Sequence, residues 1–141
     1  MSKKQTFKGE DYRMISRLGQ VMLYVNDQDA VRDFWVEKFG FKVISEVNVA
    51  EAGFRFIEIA PNDDAGTTSL VLHNKEFIAK AEPELNLGTP SLMFATDNIE
   101  KLHSDLAAKG VKVGDIVSMP NGARAFNFPD NEDNYFAIYE G

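Results

Sequence analysis

The sequence repeats itself after 70 residues. Asp27 is followed, after twelve residues, by Gly-Phe-Lys-Val at 40–43, and Asp97 is followed at the same spacing by Gly-Val-Lys-Val at 110–113. An apolar run precedes each aspartate. A period of about half of a 141-residue chain leaves room for two units. The repeat therefore indicates two similar modules rather than one continuous pattern.

Each module begins with a strand and then a helix. The apolar run predicts the strand, and Asp27 or Asp97 is expected to cap the helix, because its carboxylate accepts from free backbone N–H groups. Apolar residues at helical spacing predict helices over Ala30–Lys38 and Ile99–Lys109. A glycine follows each helix, where a positive φ suits glycine as a terminator.

Three further strands are predicted in each module, and turns rich in proline, glycine and asparagine separate them. The expected strands are Phe41–Val49, Phe54–Ala60 and Thr67–His73 in the first module, and Val111–Met119, Ala123–Phe128 and Tyr135–Glu140 in the second. Each module then has the order βαβββ. The predicted class is α+β, with the two modules forming a curved mixed sheet around a cavity.

The predicted boundaries follow from the same pattern. Residues 1–13 are expected to be a mobile N-terminal arm. Residues 14–141 form a single domain, with one module at about 15–78 and the other at about 91–141. A linker of about 79–90 joins them and carries two prolines and a glycine.

Alternation along the strands separates two faces of the sheets. One face is entirely apolar and is expected to pack beneath the helices; it comprises Val21, Leu23, Val25, Leu70, Leu72, Leu92, Phe94, Phe136 and Ile138. The opposite face mixes polar, aromatic and small residues, as the lining of a ligand site does. From it we predict ligand contacts by Gln20, Met22, Tyr24, Val71, His73, Ser91, Met93, Tyr135, Ala137 and Tyr139.

Composition narrows the range of partners. Fifteen Lys and Arg against 22 Asp and Glu give a net charge of −7, which disfavours nucleic acid and anionic membrane surfaces. The chain has no cysteine, so disulfides, Cys-ligated metals and thiol catalysis are excluded. The sequence contains no run of eighteen apolar residues, which a membrane-spanning helix would need. No apolar run follows the N-terminal lysines, as it would in a secretory signal peptide. The expected location is the cytoplasm.

Four segments together resemble the vicinal oxygen chelate (VOC) superfamily, which includes glyoxalase I, bleomycin-resistance proteins and extradiol dioxygenases. They are QVMLYVND (20–27), FWVEKFGFKV (34–43), DNIEKLHSDLAAKGVKV (97–113) and FPDNEDNYFAIYE (128–140). The resemblance implies the glyoxalase/bleomycin resistance/dihydroxybiphenyl dioxygenase fold, and RFIEIAP (55–61) with LVLH (70–73) is similar to a mostly uncharacterised branch. It also implies a homodimer, with the modules paired within one chain or exchanged between chains.

Metal-using members of that superfamily place four ligands on the cavity face. The corresponding positions here are Gln20, Val71, Ser91 and Ala137. Two of these side chains have no donor atom, whereas a divalent cation generally takes about three protein ligands. We therefore predict no cofactor and no metal at these positions.

An alternative is that metal ligands or acid–base groups lie at other positions of the same face. Gln20, Glu58 and His73 could form a divalent metal site, or Glu58 and His73 could act as an acid–base pair, if Glu58 faces the cavity. The common interpretation of His73 is a hydrogen bond to nearby backbone, and that of His103 is an exposed helix residue. Arg55 and Arg124 could bind an anionic group or pair with nearby carboxylates.

The sequence therefore predicts a small-molecule-binding protein that works without metal. A metal-dependent lyase or isomerase of glyoxalase type is the alternative, so whether the chain is an enzyme is left open. A third interpretation is that the mixed face is a dimer interface without a ligand.

Overall fold

A computed structural model describes residues 12–141. In the first module, β1 is Gln20–Val25, α1 is Gln28–Phe39, β2 is Lys42–Val49, β3 is Phe54–Ala60 and β4 is Ser69–Asn74, with a short 3₁₀ turn at Ala50–Ala52. Helix α2 (Lys75–Ala81) follows. In the second module, β5 is Met93–Thr96, α3 is Ile99–Ala108, β6 is Val117–Ser118, β7 is Arg124–Pro129 and β8 is Tyr135–Glu140.

Both modules have the same strand topology. The first sheet has the order β1-β4-β3-β2 and the second has the order β5-β8-β7-β6. In each, the first and last strands of the module pair in parallel, and the other neighbours are antiparallel. The predicted α+β class and the βαβββ order are thus confirmed, and within one chain the modules form two separate four-stranded mixed sheets.

The apolar faces of both sheets contribute to one core. All nine side chains expected on that face lie in the core or pack against it. Trp35 of α1 is fully buried, and its ring lies 5.5 Å from Phe94, 5.8 Å from Phe128 and 5.2 Å from Phe136 of the second sheet. Since α1 also packs on the strands of its own sheet, it lies between the sheets. We call the core side of each sheet its inner face and the opposite side its outer face.

The two helix N-termini show one correct prediction and one wrong one. The Asp27 carboxylate accepts from the Ala30 N–H at 3.0 Å and caps α1, as predicted. In the second module the cap is Asn98, whose side-chain oxygen accepts from the Lys101 N–H at 3.1 Å. Asp97 therefore does not cap α3. Both residue types are good caps, and the helix begins one residue later than the repeat suggests.

Two other segments differ from the expected strands and linker. The strand expected at 111–119 is reduced to β6, because Gly114 turns toward β7 and its N–H donates to the Asn127 carbonyl at 2.8 Å. Helix α2 occupies the end of the first module and the start of the expected linker. Its cap is Asn74, which accepts from the Phe77 N–H at 2.8 Å.

The predicted N-terminal arm overlaps the described part of the chain only at its end. Residues 1–11 of the expected arm lie outside the described part of the chain, and residues 12–19 contain no helix or strand. Met14 and Ile15 are largely exposed. Across residues 12–141, none of the helices has the length and apolar character needed to cross a membrane.

Candidate functional site

The outer face of the first sheet divides into a polar end and an aromatic end. Register places Gln20 beside Ser69, and Glu58 opposite both Ser45 and Val71. Two residues further along β4, His73 lies between Tyr24 and Phe56. Because residues paired in a sheet point to the same side, all of these side chains belong to the outer face. This resolves the orientation of Glu58, which the sequence left ambiguous.

At the polar end, Glu58 connects all four strands. Its carboxylate accepts from Ser69 Oγ of β4 at 2.6 Å, from Gln20 Nε2 of β1 at 3.2 Å and from Ser45 Oγ of β2 at 3.0 Å. All three donors are neutral. A shallow cavity of about 110 Å³ adjoins this carboxylate and is also lined by Ile44, Ala60, Asn62, Asp63, Asp64, Thr67 and Ser69.

The hydrogen bonds keep Glu58 ionised. The bond from Ser69 is the main cause that lowers the pKa of Glu58 below its ordinary value, with smaller contributions from Gln20 and Ser45, and burial opposes the shift. A carboxylate that accepts several hydrogen bonds is more stable in its charged form. The polar end therefore presents a fixed negative charge, and Glu58 is not a proton donor near neutral pH.

At the aromatic end, His73 is surrounded by rings. It stacks on Tyr24 with a centroid distance of 5.7 Å and an interplanar angle of 26°. The rings of Phe56 and Phe54 lie 5.8 and 6.2 Å away. Phe77 of α2 extends this cluster through Phe54 at 5.6 Å. We call these five side chains the aromatic cluster.

The aromatic cluster favours neutral His73. Burial lowers the pKa of this histidine below its ordinary value, because a charged imidazole loses hydration there. The Nε2 atom lies 3.2 Å from Met22 Sδ, and the buried Nδ1 has no hydrogen-bond partner among the described residues. Neither nitrogen forms a hydrogen bond to backbone within residues 12–141, so the backbone hydrogen bond expected from the sequence is not found there.

Gln20 and Glu58 meet, but His73 does not join them. The carboxylate of Glu58 hydrogen-bonds to Ser69 and Gln20. His73 instead lies opposite Phe56, two residues from Glu58 along β3, and contacts Met22. The structure therefore brings together two members of the displaced ligand set and holds the third among aromatic rings.

The outer face of the second sheet is simpler. Tyr135, Ala137 and Tyr139 of β8 share it with Met93 of β5 and Asn127 of β7. Tyr135 is 63% exposed and Met93 is 47% exposed. This face has no carboxylate or imidazole at the strand positions described, so tyrosine hydroxyls and the Asn127 amide are its polar groups. Ser91 is exposed and precedes β5 rather than lying in it.

The two outer faces point away from each other, because both inner faces enclose the same core. One chain therefore does not bring Gln20 and Val71 together with Ser91 and Ala137. A cavity of about 390 Å³ does lie between the modules; its lining includes Val21 and Leu70 of the first sheet and Met93, Phe94 and Tyr139 of the second. Of the predicted ligand contacts, Met93 and Tyr139 line this cavity.

The arginines and the second histidine have local partners. Arg55 bonds to Asp29 and Glu46, each at 2.7 Å, and Arg124 bonds to Glu100 at 3.0 Å and Glu140 at 2.8 Å. In each pair one acid is the second residue of the module's helix. These contacts lie on the inner side and agree with carboxylate pairing. His103 is half-buried rather than exposed: Nε2 lies 2.8 Å from the Gly114 carbonyl oxygen, and the ring packs edge-on against Phe126.

Sequence reasoning missed part of this face. Phe54, Phe56 and Phe77 were not among the predicted contacts, although Phe54 and Phe56 alternate with Arg55 and Ile57 in β3. That alternation was available as a signal. Ser45 could not be placed, because a register shift between Val43 and Ser45 inverts the alternation in β2.

Residues 17–138 match the model of the Glyoxalase/Bleomycin resistance protein/Dioxygenase superfamily. The chain belongs to this superfamily. This confirms the resemblance seen in the four sequence segments and accounts for the paired βαβββ modules.

Three similar proteins show the range of relatives. "Uncharacterized protein YurT" of Bacillus subtilis (strain 168) is 35% identical over 92 residues, which cover 63% of this chain and 71% of YurT. "Uncharacterized protein YetH" of the same strain is 27% identical over 128 residues, which cover 90% of this chain and all of YetH. The crystal structure of TnmS3, an antibiotic binding protein from Streptomyces sp. CB03234, superimposes with a TM-score of 0.74 at 26% identity and covers 92% of this chain and 98% of TnmS3.

The donor set does not fit the metal site of the superfamily's metal-using members. At the four corresponding positions, Val71 and Ala137 carry only hydrocarbon side chains. The other two, Gln20 and Ser91, belong to different modules, and one chain does not bring them together. Among residues 12–141, no three His, Cys, Asp or Glu side chains are grouped to hold a metal ion.

Proposed function

We propose that this protein binds a small organic ligand on the outer faces of its two sheets, without a metal ion. The observation that carries the proposal is the aromatic cluster beside the fixed charge of Glu58, on a sheet face that the core does not use. Ring faces offer stacking area, and a few placed polar groups fix orientation, which is the composition of a small-molecule site. Binding of this kind needs affinity and no proton transfer.

The similarity to TnmS3 supports the same function. TnmS3 is described as an antibiotic binding protein, and the two chains correspond over nearly their whole lengths. The sequence identity of 26% does not specify which ligand this chain binds. We therefore propose the general activity, sequestration or carriage of a small organic molecule, and leave the ligand's identity to experiment.

A homodimer would complete this site. Met22 is 38% exposed and Met93 is 47% exposed, and both belong to the outer faces. We propose that a second copy places its second-module face opposite the first-module face of its partner. Gln20 and Val71 would then face Ser91 and Ala137 across a shared cavity. Of the two arrangements open from the sequence, exchange between chains is the one that accommodates a common helical core.

The experiment measures both association and binding. The probe is 1-naphthalenemethanol, a neutral planar alcohol, and calorimetry follows its binding while sedimentation follows the oligomeric state. We expect a dimer that binds the probe. Ala137→Arg adds a charge to the second outer face and should weaken probe binding about tenfold or more. Ala107→Arg, at an exposed position of α3, makes the same substitution away from the outer faces and should bind normally.

Three outcomes would contradict this proposal. Failure of the dimer to bind 1-naphthalenemethanol or any aromatic probe would favour a plain dimer interface. A monomer at high protein concentration would remove the shared cavity. Stoichiometric, micromolar binding of Zn²⁺, Ni²⁺, Mn²⁺ or Fe²⁺ would overturn the metal-free part of the proposal.

A second candidate function is a metal-dependent lyase or isomerase with displaced ligands, favoured by one observation, the contact of Gln20 with Glu58 at 3.2 Å. In that case Glu58→Gln and His73→Ala should each abolish metal uptake and leave the fold intact. Unchanged metal binding in both variants would end this alternative. The cytoplasm remains the proposed compartment, and fractionation of expressing cells tests it.

A further inference from the structure

The polar end of the first outer face holds a negative charge without a cation. Glu58 accepts from Ser69, Ser45 and Gln20, and all three donors are neutral. Other acids do bond to arginine: on the inner sides of the sheets Arg55 and Arg124 are each held by two carboxylates, and within α1 Arg32 bonds to Asp29 and Asp33. Glu58 is thus set apart from the ion pairs of this protein.

Lys42 is the basic residue nearest to Glu58 in the sheet register. It lies opposite Ala60, one outer-face position beyond Glu58, and it is exposed. Hydrogen bonds from neutral donors, first of all from Ser69, lower the pKa of Glu58 against the opposing effect of burial, and no basic group contributes. The carboxylate therefore stays ionised by hydrogen bonding alone, and its charge is free to attract a cation.

The cavity beside Glu58 sets the size of such a group. Its volume of about 110 Å³ suits a small head group rather than a whole ring system. Asp63 and Asp64 also line it, but both are exposed, so water screens their charges more than that of Glu58.

The aromatic cluster lies on the same face at a distance that a small ligand spans. Glu58 is paired with Val71, and His73 is two residues further along β4. Two residues of a strand cover about 7 Å. Aromatic ring faces also attract cations through their quadrupole, so the two ends of the face favour the same sign of ligand charge.

We propose that the ligand is a planar aromatic molecule with a protonated amine or amidine, whose ring lies on the aromatic cluster and whose cationic group binds Glu58. This inference rests on the proposed function and adds the chemical class of the ligand. Glu58 acts as an anchor that selects charge, and the aromatic cluster supplies area that tolerates different ring systems. The partner subunit's outer face would cover the ring without adding a competing carboxylate.

The test uses three probes of nearly equal size and different charge. They are 1-(aminomethyl)naphthalene, which is cationic at pH 7, 1-naphthalenemethanol, which is neutral, and 1-naphthoate, which is anionic. Calorimetry at low salt measures each against the full-length protein. We expect the amine to bind about tenfold more tightly than the alcohol, and the naphthoate to bind most weakly.

Variants assign the preference to one carboxylate. Glu58→Gln should abolish the preference for the amine, because the amine loses a charged partner whereas the alcohol loses at most one neutral hydrogen bond. Glu37→Gln removes the same unit of charge from the exposed side of α1 and should keep the preference. Equal loss in both variants would show that net charge, rather than Glu58, selects the amine, and would overturn the inference.

A second variant keeps the carboxylate in place. Ser69→Ala removes the shortest hydrogen bond to Glu58 and should raise the pKa of that carboxyl group. As the pH is lowered, Glu58 should therefore lose its charge, and the protein its preference for the amine, at a higher pH than in the wild type. The amine stays protonated throughout this range. An unchanged pH dependence would contradict the assignment to Glu58 even if Glu58→Gln failed to fold.

The outcomes separate the two proposals. If the amine and the alcohol bind equally well, the inference fails and the proposed function stands. If none of the three probes binds, the proposed function fails and the inference fails with it.

Discussion

The outer faces of the two sheets have the same strand order and different chemistry. The first carries a hydrogen-bonded carboxylate, Glu58, and a partly buried imidazole, His73, next to aromatic rings. The second presents Tyr135, Ala137 and Tyr139 and has neither group at the strand positions described. The two modules therefore share a strand order but differ in the side chains of their outer faces.

The inner faces show the opposite tendency. Arg55 and Arg124 occupy similar places, each bonded to the second residue of its module's helix and to one strand carboxylate. Lys38 and Lys109, near the ends of α1 and α3, also donate to each other's backbone carbonyls, at 2.8 and 3.2 Å. Packing restrains the inner faces because both must fit one core, whereas the outer faces are free to diverge. The first outer face is consequently where we expect ligand selectivity.

The largest expected effect comes from the residue that joins the two modules. Trp35→Ala should lower the free energy of unfolding by about 3–5 kcal/mol, because it removes a fully buried ring that contacts both sheets. Circular dichroism during thermal unfolding measures this loss, since Trp35 is the single tryptophan and its fluorescence disappears in the variant. Met14→Ala, at a largely exposed position, is the control. Two separate transitions in the wild type would show that the modules do not share one cooperative core.

The helix caps allow a direct comparison of the modules. Asp27→Ala and Asn98→Ala should each destabilise the protein by about 1 kcal/mol, because each leaves a backbone N–H in the first turn of a helix without its hydrogen-bond acceptor. Asp97→Ala should cost less than Asn98→Ala. Urea unfolding monitored by circular dichroism measures all three variants. A larger loss for Asp97→Ala would mean that the cap predicted from the sequence repeat was right after all.

The smallest expected effect is a difference between the two outer faces in how the free energy of unfolding depends on pH. Burial lowers the pKa of His73 in the folded protein, so the unfolded chain takes up a proton first as pH falls below about 6.5. Stability from neutral His73 is therefore present above that pH and decreases as pH falls toward the folded-state pKa. His73→Phe should reduce the slope of the free energy of unfolding between pH 7 and pH 5. Tyr135→Phe, on the second outer face, should retain the wild-type slope, and a slope that His73→Phe leaves unchanged would contradict the account.

Much of this arrangement was available from local pattern. Period-two alternation identified the inner face, including Leu23 and Ile138, because a strand can bury only alternate residues beneath a helix. The strands Phe54–Ala60 and Tyr135–Glu140 have the predicted bounds. Local chemistry was less decisive where neighbouring residues could do the same task, as Asp97 and Asn98 could at the start of α3.

The duplicated strand–helix–strand pattern, the apolar face and the absence of donor atoms at Val71 and Ala137 are properties of the residues themselves, so the sequence alone determined them. Which way Glu58 points, which donors surround it, and that the two outer faces diverge depend on contacts between residues far apart in the chain. A register shift in β2 places Ser45 beside Glu58, and the packing of Trp35 against the second sheet joins the inner faces of the two sheets in one core. Neither has a signature in short-range periodicity, because both depend on how separate elements meet in space.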